Sequence, residues 1–145
     1  MSERALRGAT AGLALVGLGI AAYLTYARYA HAALACTTGG CETVQSSEYA
    51  TLAGIPVPVL GLAGYAAIFA TAFVRGELGA LAGLALALGG FAFSIYLVYV
   101  QWAIIEAFCV WCLASDVVMF LLVVASLLRV RATSRAAAIS AGLPG

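Results

Sequence analysis

Four cysteines in two pairs, Cys36-Thr-Thr-Gly-Gly-Cys41 and Cys109-Val-Trp-Cys112, are the residues of this chain best suited to chemistry. Cys109 and Cys112 are three residues apart, so at the start of a helix both sulfurs face one side, where unpaired backbone N–H groups and the helix dipole favour a thiolate. Gly39 and Gly40 free the backbone of the other pair, so Cys36 and Cys41 can close on each other or turn their sulfurs to other partners. A mobile pair beside a fixed pair suits a relay: a thiolate attacks a disulfide, the mixed disulfide resolves, and two electrons pass on. Two other readings of the same residues stand beside this one. Both pairs can be passive structural disulfides, or the four thiols can hold one zinc ion, although the apolar bulk of Phe108, Val110, Trp111 and Leu113 is unlike the polar setting of structural zinc.

The elements that must position these thiols follow from composition. A chain of 145 residues with 65% hydrophobic and 9% charged content and a mean hydropathy of +1.08 carries more apolar surface than one small globule can hide. Crossing a hydrocarbon core takes about 20 mainly apolar residues. Four such runs are present, approximately Thr10 to Tyr29, Val57 to Val74, Ala80 to Trp102 and Phe108 to Leu128, with Arg75 to Gly79 as a tight turn between the second and third. The first is too long for a cleaved signal peptide and lacks a convincing cleavage pattern. The expectation is an all-α integral membrane protein with four transmembrane helices, forming one membrane domain over residues 1–145.

All the basic residues are arginines: Arg4 and Arg7 before the first span, Arg75 between the second and third, Arg129, Arg131 and Arg135 after the fourth, and Arg28 alone on the other side. Basic loops stay in the cytoplasm, so both termini are expected there. The long connection, residues 30 to 56, and the short Ala103 to Ala107 link then face the periplasm or exterior of an inner (plasma) membrane. Every thiol lies at that outer side, where disulfides persist. The final electron acceptor is expected to be a lipid-soluble quinone, because a flavin or nicotinamide needs a βαβ nucleotide-binding unit that a short helical chain does not offer. No nucleic-acid partner and no metal are expected.

The stretch from Cys41 through Ser47 to Ala50, then Gly54-Ile-Pro56 and Leu60-Gly-Leu-Ala-Gly-Tyr65, and finally Cys109-Val-Trp-Cys112, resembles the vitamin K epoxide reductase family. The loop pair comes before CxxC, the reverse of the order in the DsbB type of membrane thiol oxidase. The resemblance covers essentially the whole chain and implies a four-helix bundle enclosing a quinone, ubiquinone or menaquinone, under an extracytoplasmic loop cap. It implies that Cys36 exchanges with a soluble partner, that Cys41 forms a transient disulfide with Cys109, and that Cys112 faces the quinone. Ser47 matches the family's loop serine, placed to hydrogen-bond the quinone or a thiolate; its plainer reading is a cap on a short loop helix. Val57 and Asp116 stand where vertebrate members have an asparagine and a tyrosine, which favours thiol-driven quinone reduction over epoxide reduction and makes the bacterial branch the nearer analogy. With the chain ending soon after the fourth helix, no fused thioredoxin-like domain is expected, and the partner is expected to be a separate DsbA-like thioredoxin-fold protein whose reoxidation drives disulfide formation.

Two further residues carry open readings. Asp116, one turn beyond Cys112, is either a proton donor or tuner of that thiol, or a carboxyl hydrogen-bonded to a helix neighbour. Trp111 belongs with Trp102, Tyr26, Tyr29 and Tyr99 to an interfacial aromatic belt, or stacks on the quinone. Competing functions are a small transporter or thiol-based metal carrier, and a structural subunit with passive disulfides.

Overall fold

In the computed structural model, which describes residues 1–37 and 39–142, almost every element is helical. Thr38, between the loop cysteines, and the last three residues of the tail lie outside the described residues. Helix α1 runs Glu3–Tyr29; the outer loop holds a six-residue helix α2, Cys41–Ser46, a 3₁₀ turn at Glu48–Ala50, and a two-stranded hairpin of β1, Thr51–Leu52, and β2, Ile55–Pro56. Then come α3, Val57–Thr71, α4, Gly76–Val100, a π-helical turn at Gln101–Ile105, and α5, Val110–Ser140.

Helices α1, α4 with its π turn, and α5 are each long and apolar enough to cross a membrane. Helix α3, at 15 residues, spans about 22 Å at about 1.5 Å per residue, short of a hydrocarbon core of about 30 Å. The second apolar run therefore ends earlier than Val74, at Thr71. Its cause lies in other helices. Arg129 of α5 is 1% exposed and its guanidinium donates to the carbonyls of Thr71, Gly79 and Val74, while Arg7 Nε of α1 donates to Ala72 O at 2.6 Å. These arginines satisfy the carbonyls that a helix end leaves open. The turn lies at 72–75 rather than Arg75 to Gly79, because α4 already begins at Gly76, whose N–H donates to Glu3 Oε1. The fourth run extends as helix well past Leu128, to Ser140.

The core is built on small residues. The buried positions of α1, from Leu6 and Thr10 through Ala14, Gly17, Ala21 and Leu24 to Ala27, recur every three or four residues and form one stripe. Gly17 leaves room for the Tyr65 ring, which is 1% exposed. Tyr65 packs with Ala14, Ala21, Ile68, Ala87, Met119 and Leu122 in the central cluster, the close approach that small residues allow between helices in lipid. The outer surface is apolar in the same way as the core: Leu15, Leu81, Leu88, Ile95, Val117 and Phe120 are exposed, as a lipid-facing surface requires. Tyr26, Tyr29, Tyr99 and Trp102 are exposed too, at the cysteine end.

The outer loop is given its path by backbone geometry. His31 takes a φ of 51° after the α1 C-cap, and Ala32 N donates back to Ala27 O at 3.0 Å, the Schellman arrangement that turns a chain away from a helix end. Ala53 and Gly54, with φ of 54° and 82°, make the two-residue hairpin turn.

Candidate redox site

The two cysteine pairs meet in one buried cluster. Cys41 and Cys109 are each 0% exposed and pack with Val44, while Cys36, Leu34, Ile105, Val110, Trp111 and Cys112 lie around them. Cys36 and Cys41 form a disulfide and Cys109 and Cys112 are free thiols. Cys41 opens α2, and Gly40 just before it presses on the backbone of Phe108, so the loop pair is seated against the chain that leads into CxxC. Among the described residues no three His, Cys, Asp or Glu side chains gather as a metal site, and the Cys36–Cys41 bond leaves two thiols rather than four for zinc.

CxxC sits where a π turn hands over to α5. Gln101 Oε1 accepts from the Cys109 N–H at 2.9 Å, its own carbonyl accepts from Ala107 N at 3.2 Å, and Glu106 closes the turn with φ of 57°. Such π turns are frequent at functional sites. Cys109 is the N-cap of α5, its sulfur accepting from the Cys112 N–H at 3.3 Å. The Cys112 S–H donates to the same sulfur at 2.7 Å, and this bond, helped by the backbone N–H groups of Cys112 and Trp111, draws the Cys109 thiol down to about 7 against the upward push of burial. Cys109 is thereby ready to act as a thiolate.

Cys112 also borders two cavities. The larger, of about 140 Å³, lies among α1, α3, α4 and α5, with Ala21, Leu24, Val57, Leu60, Gly61, Gly64, Tyr65, Phe93, Leu97, Cys112, Ser115, Asp116 and Met119 on its wall. The smaller, of about 40 Å³, reaches up to the loop and is lined by Val44, Ser47, Tyr49, Gln101, Cys112 and Asp116 among others. Gln45 borders both. The polar groups there are few and specific: Tyr65 Oη bonds the Ser115 hydroxyl at 2.7 Å and carbonyl at 2.8 Å, Asp116 is hydrogen-bonded to Ser94, and Asp116 Oδ2 and Gln45 Oε1 are buried without a partner among the described residues.

The chemistry-bearing residues read from the sequence thus fall into two groups. Cys36, Cys41, Cys109, Cys112, Ser47 and Asp116 are brought together; Ser47 faces the smaller cavity, though its hydroxyl donates to Val44 O at 2.7 Å. Trp111 lies elsewhere: its Nε1–H donates to Ala35 O at 2.6 Å and its ring meets Tyr23 at 4.9 Å, so it holds the outer loop and is absent from both cavity walls. Gln45, Gln101, Ser94 and the hydroxyl of Tyr65 escaped the sequence reading. Polar residues inside apolar spans, such as Ser94 and Gln101, were the available signal.

The profile of the vitamin K epoxide reductase family matches residues 9–127, from the first helix to beyond CxxC. The chain belongs to the vitamin K epoxide reductase family. Among curated proteins, a thiol-disulfide oxidoreductase of Arabidopsis thaliana, LTO1, is 30% identical over 112 residues, covering 68% of this chain and 30% of that protein. The chain therefore spans under a third of the relative's length. The family match takes in all four cysteines, Ser47, Asp116 and the cavity between the helices.

Proposed function

We propose that this member of the vitamin K epoxide reductase family is a quinone-dependent thiol–disulfide oxidoreductase, a four-span bundle that reoxidises a thioredoxin-fold partner on the outer side of the membrane and so drives protein disulfide formation. The observation that carries the proposal is the position of Cys112, which bonds Cys109 in the buried thiol cluster and at the same time borders an apolar cavity between the helices. Apolar cavities of about 150 Å³ hold a benzene ring, so a cavity of about 140 Å³ is of a size for a quinone ring, and the unpartnered Gln45 Oε1 and Asp116 Oδ2 suit its oxygen substituents once they carry protons. A quinone supplies the acceptor for two electrons and two protons. Leu60, Tyr65, Phe93 and Met119 would hold the ring, with Asp116 at its polar edge.

A partner thiolate attacks Cys36 of the Cys36–Cys41 disulfide, and the partner's second thiol resolves it, leaving the partner oxidised and both loop cysteines reduced. Cys41 as thiolate then attacks Cys109 of a Cys109–Cys112 disulfide, releasing Cys112 as thiolate. Cys36 attacks Cys41 in turn, which restores Cys36–Cys41 and leaves both CxxC thiols reduced, the combination found in the structure. Cys109 and Cys112 give up two electrons and two protons and close their disulfide again. Arg7 and Arg129 at the end away from the thiols support a cytoplasmic position for that end and for both termini.

The test is quinone reduction by the purified protein with a reduced DsbA-like donor, following donor thiols and quinone absorbance together. Donor oxidation should match quinol formation one for one and vanish in Cys112→Ser; turnover that survives Cys112→Ser, or is absent with both ubiquinone and menaquinone, rejects the reading.

A further inference from the structure

Gln45 touches the reacting sulfur and has no part in the thiol–disulfide steps set out above. It lies four residues after Cys41 on α2, hence on the same face of that helix. Its Nε2 donates to Cys112 Sγ at 3.4 Å, within the longer reach of a bond to sulfur. Its backbone is fixed separately, because Arg28 Nη1 of α1 donates to the Gln45 carbonyl at 2.6 Å. Its Oε1 is buried without a partner among the described residues, and its amide reaches the Cys109 sulfur as well as that of Cys112. The other polar side chains around Cys112 are differently engaged: Ser47 donates to Val44 O, Ser115 is bonded to Tyr65, and Asp116 to Ser94. Among the described residues, Gln45 is the side chain with an N–H aimed at Cys112.

We infer that Gln45 is a catalytic residue of the relay, holding the Cys112 thiolate by an N–H···S⁻ hydrogen bond while Cys109 is joined to Cys41. The inference rests on the relay proposed above and deepens it. When Cys41 bonds to Cys109, the Cys109–Cys112 bond breaks and Cys112 leaves with the electron pair. It can no longer share a proton with Cys109, and it sits at the edge of an apolar cavity where a bare anion is costly. A hydrogen bond to an ionised group is the strong kind. Because Gln45 and Cys41 share one helix face, the loop that delivers the attacking sulfur also delivers the amide, so the thiolate is supported when the loop is seated.

The experiment isolates Cys112 in a Cys109→Ser background, in the full chain reconstituted in nanodiscs, and compares Gln45 with Gln45→Met, which keeps length and volume but has no N–H. Thiolate absorbance in the ultraviolet is followed across the neutral-to-alkaline range, and the rate of alkylation by a small maleimide is read beside it. Methionine keeps the burial of Cys112 and removes the donor, so the titration reports the lost N–H. The thiolate midpoint should rise by about one pH unit and the alkylation rate fall by about tenfold in Gln45→Met, the scale of a hydrogen bond to a charged group, with the Cys36–Cys41 disulfide still present by mass spectrometry. An unchanged midpoint and rate in that protein overturn the inference. If Gln45→Met does not fold, Gln45→Glu keeps the shape and replaces the donor by an anion; it must raise the midpoint at least as far, and an unchanged midpoint there also overturns it. A raised midpoint in a protein whose parent reduces no quinone would leave the role of Gln45 standing and reject the quinone reading alone.

Discussion

Gly40 lies flat against the peptide of Phe108: a methyl group on its Cα would stand 2.4 Å from the Phe108 carbonyl oxygen and 2.9 Å from the Phe108 nitrogen. Both neighbours are backbone atoms and cannot swing aside as a flexible side chain can. This contact, one residue before Cys41 and one before Cys109, sets how close the two pairs come.

Gly40→Ala should therefore lift the loop from CxxC without touching any sulfur. Overpacking of this kind costs about 1–3 kcal/mol, so the fraction of Cys41–Cys109 cross-link trapped in a Cys36→Ser, Cys112→Ser protein should fall about tenfold at fixed redox potential. Non-reducing peptide mapping measures that fraction, and an undiminished cross-link would show that the loop does not need this contact.

Acidity gives a second handle. With the Cys109 thiol drawn from 9.0 to about 7 by the Cys112 hydrogen bond, its thiolate fraction rises as pH rises through about 7 and is nearly complete above 8. Below 7 it should drop about tenfold per pH unit. The folded value lies below the unfolded one, so the linked stability of the reduced protein is full above pH 9 and is lost as pH falls through about 7. Thiolate absorbance of the reduced protein against pH checks this; a midpoint near 9 would mean that the Cys112 S–H does not serve Cys109.

A pair of glycines in α1 offers a control within one helix. A Cβ on Gly17 would meet the Tyr65 ring at 2.2 Å, whereas one on Gly12 meets nothing within 4 Å. Gly17→Ala should cost about 1–3 kcal/mol and disturb the Tyr65–Ser115 bond on the cavity wall, while Gly12→Ala should be neutral or mildly stabilising. Thermal unfolding in detergent separates the two.

Arg129→Met removes the donor to the carbonyls of Thr71, Val74 and Gly79. Leaving a buried acceptor unsatisfied costs about 1–3 kcal/mol, so the variant should lose several kcal/mol and expose the 72–75 turn to hydrogen exchange. Protection of that turn equal to the parent's would assign its order to packing alone.

Much of this architecture is legible in the sequence, because apolar runs report directly on helices that face lipid. What is not legible depends on distant partners. Helix α3 stops at Thr71 because arginines from α1 and α5 take up its carbonyls, and hydropathy along residues 57–74 holds no trace of that. Trp111 has an amphipathic ring beside two sulfurs, and either direction is chemically sensible; in the structure it turns to the Ala35 carbonyl and the Tyr23 ring. Gln45 looks like any polar loop residue until the loop is folded back over Cys112. The cysteines were readable because their chemistry is rare and their spacing local.

The placement of Arg129 has an electrical consequence. It lies ten residues beyond Met119 on α5, about 15 Å along the axis, and with Arg7 it closes the end of the bundle away from the sulfurs. In the proposed quinone reaction, protons released by the thiols and protons taken up at the cavity would exchange with the same outer compartment, and electrons would not travel past the level of the cavity. Turnover would move no net charge across the bilayer, so a voltage-sensitive dye in sealed proteoliposomes should stay silent while quinol accumulates, and the reaction would run at the same rate whether the membrane is energised or not.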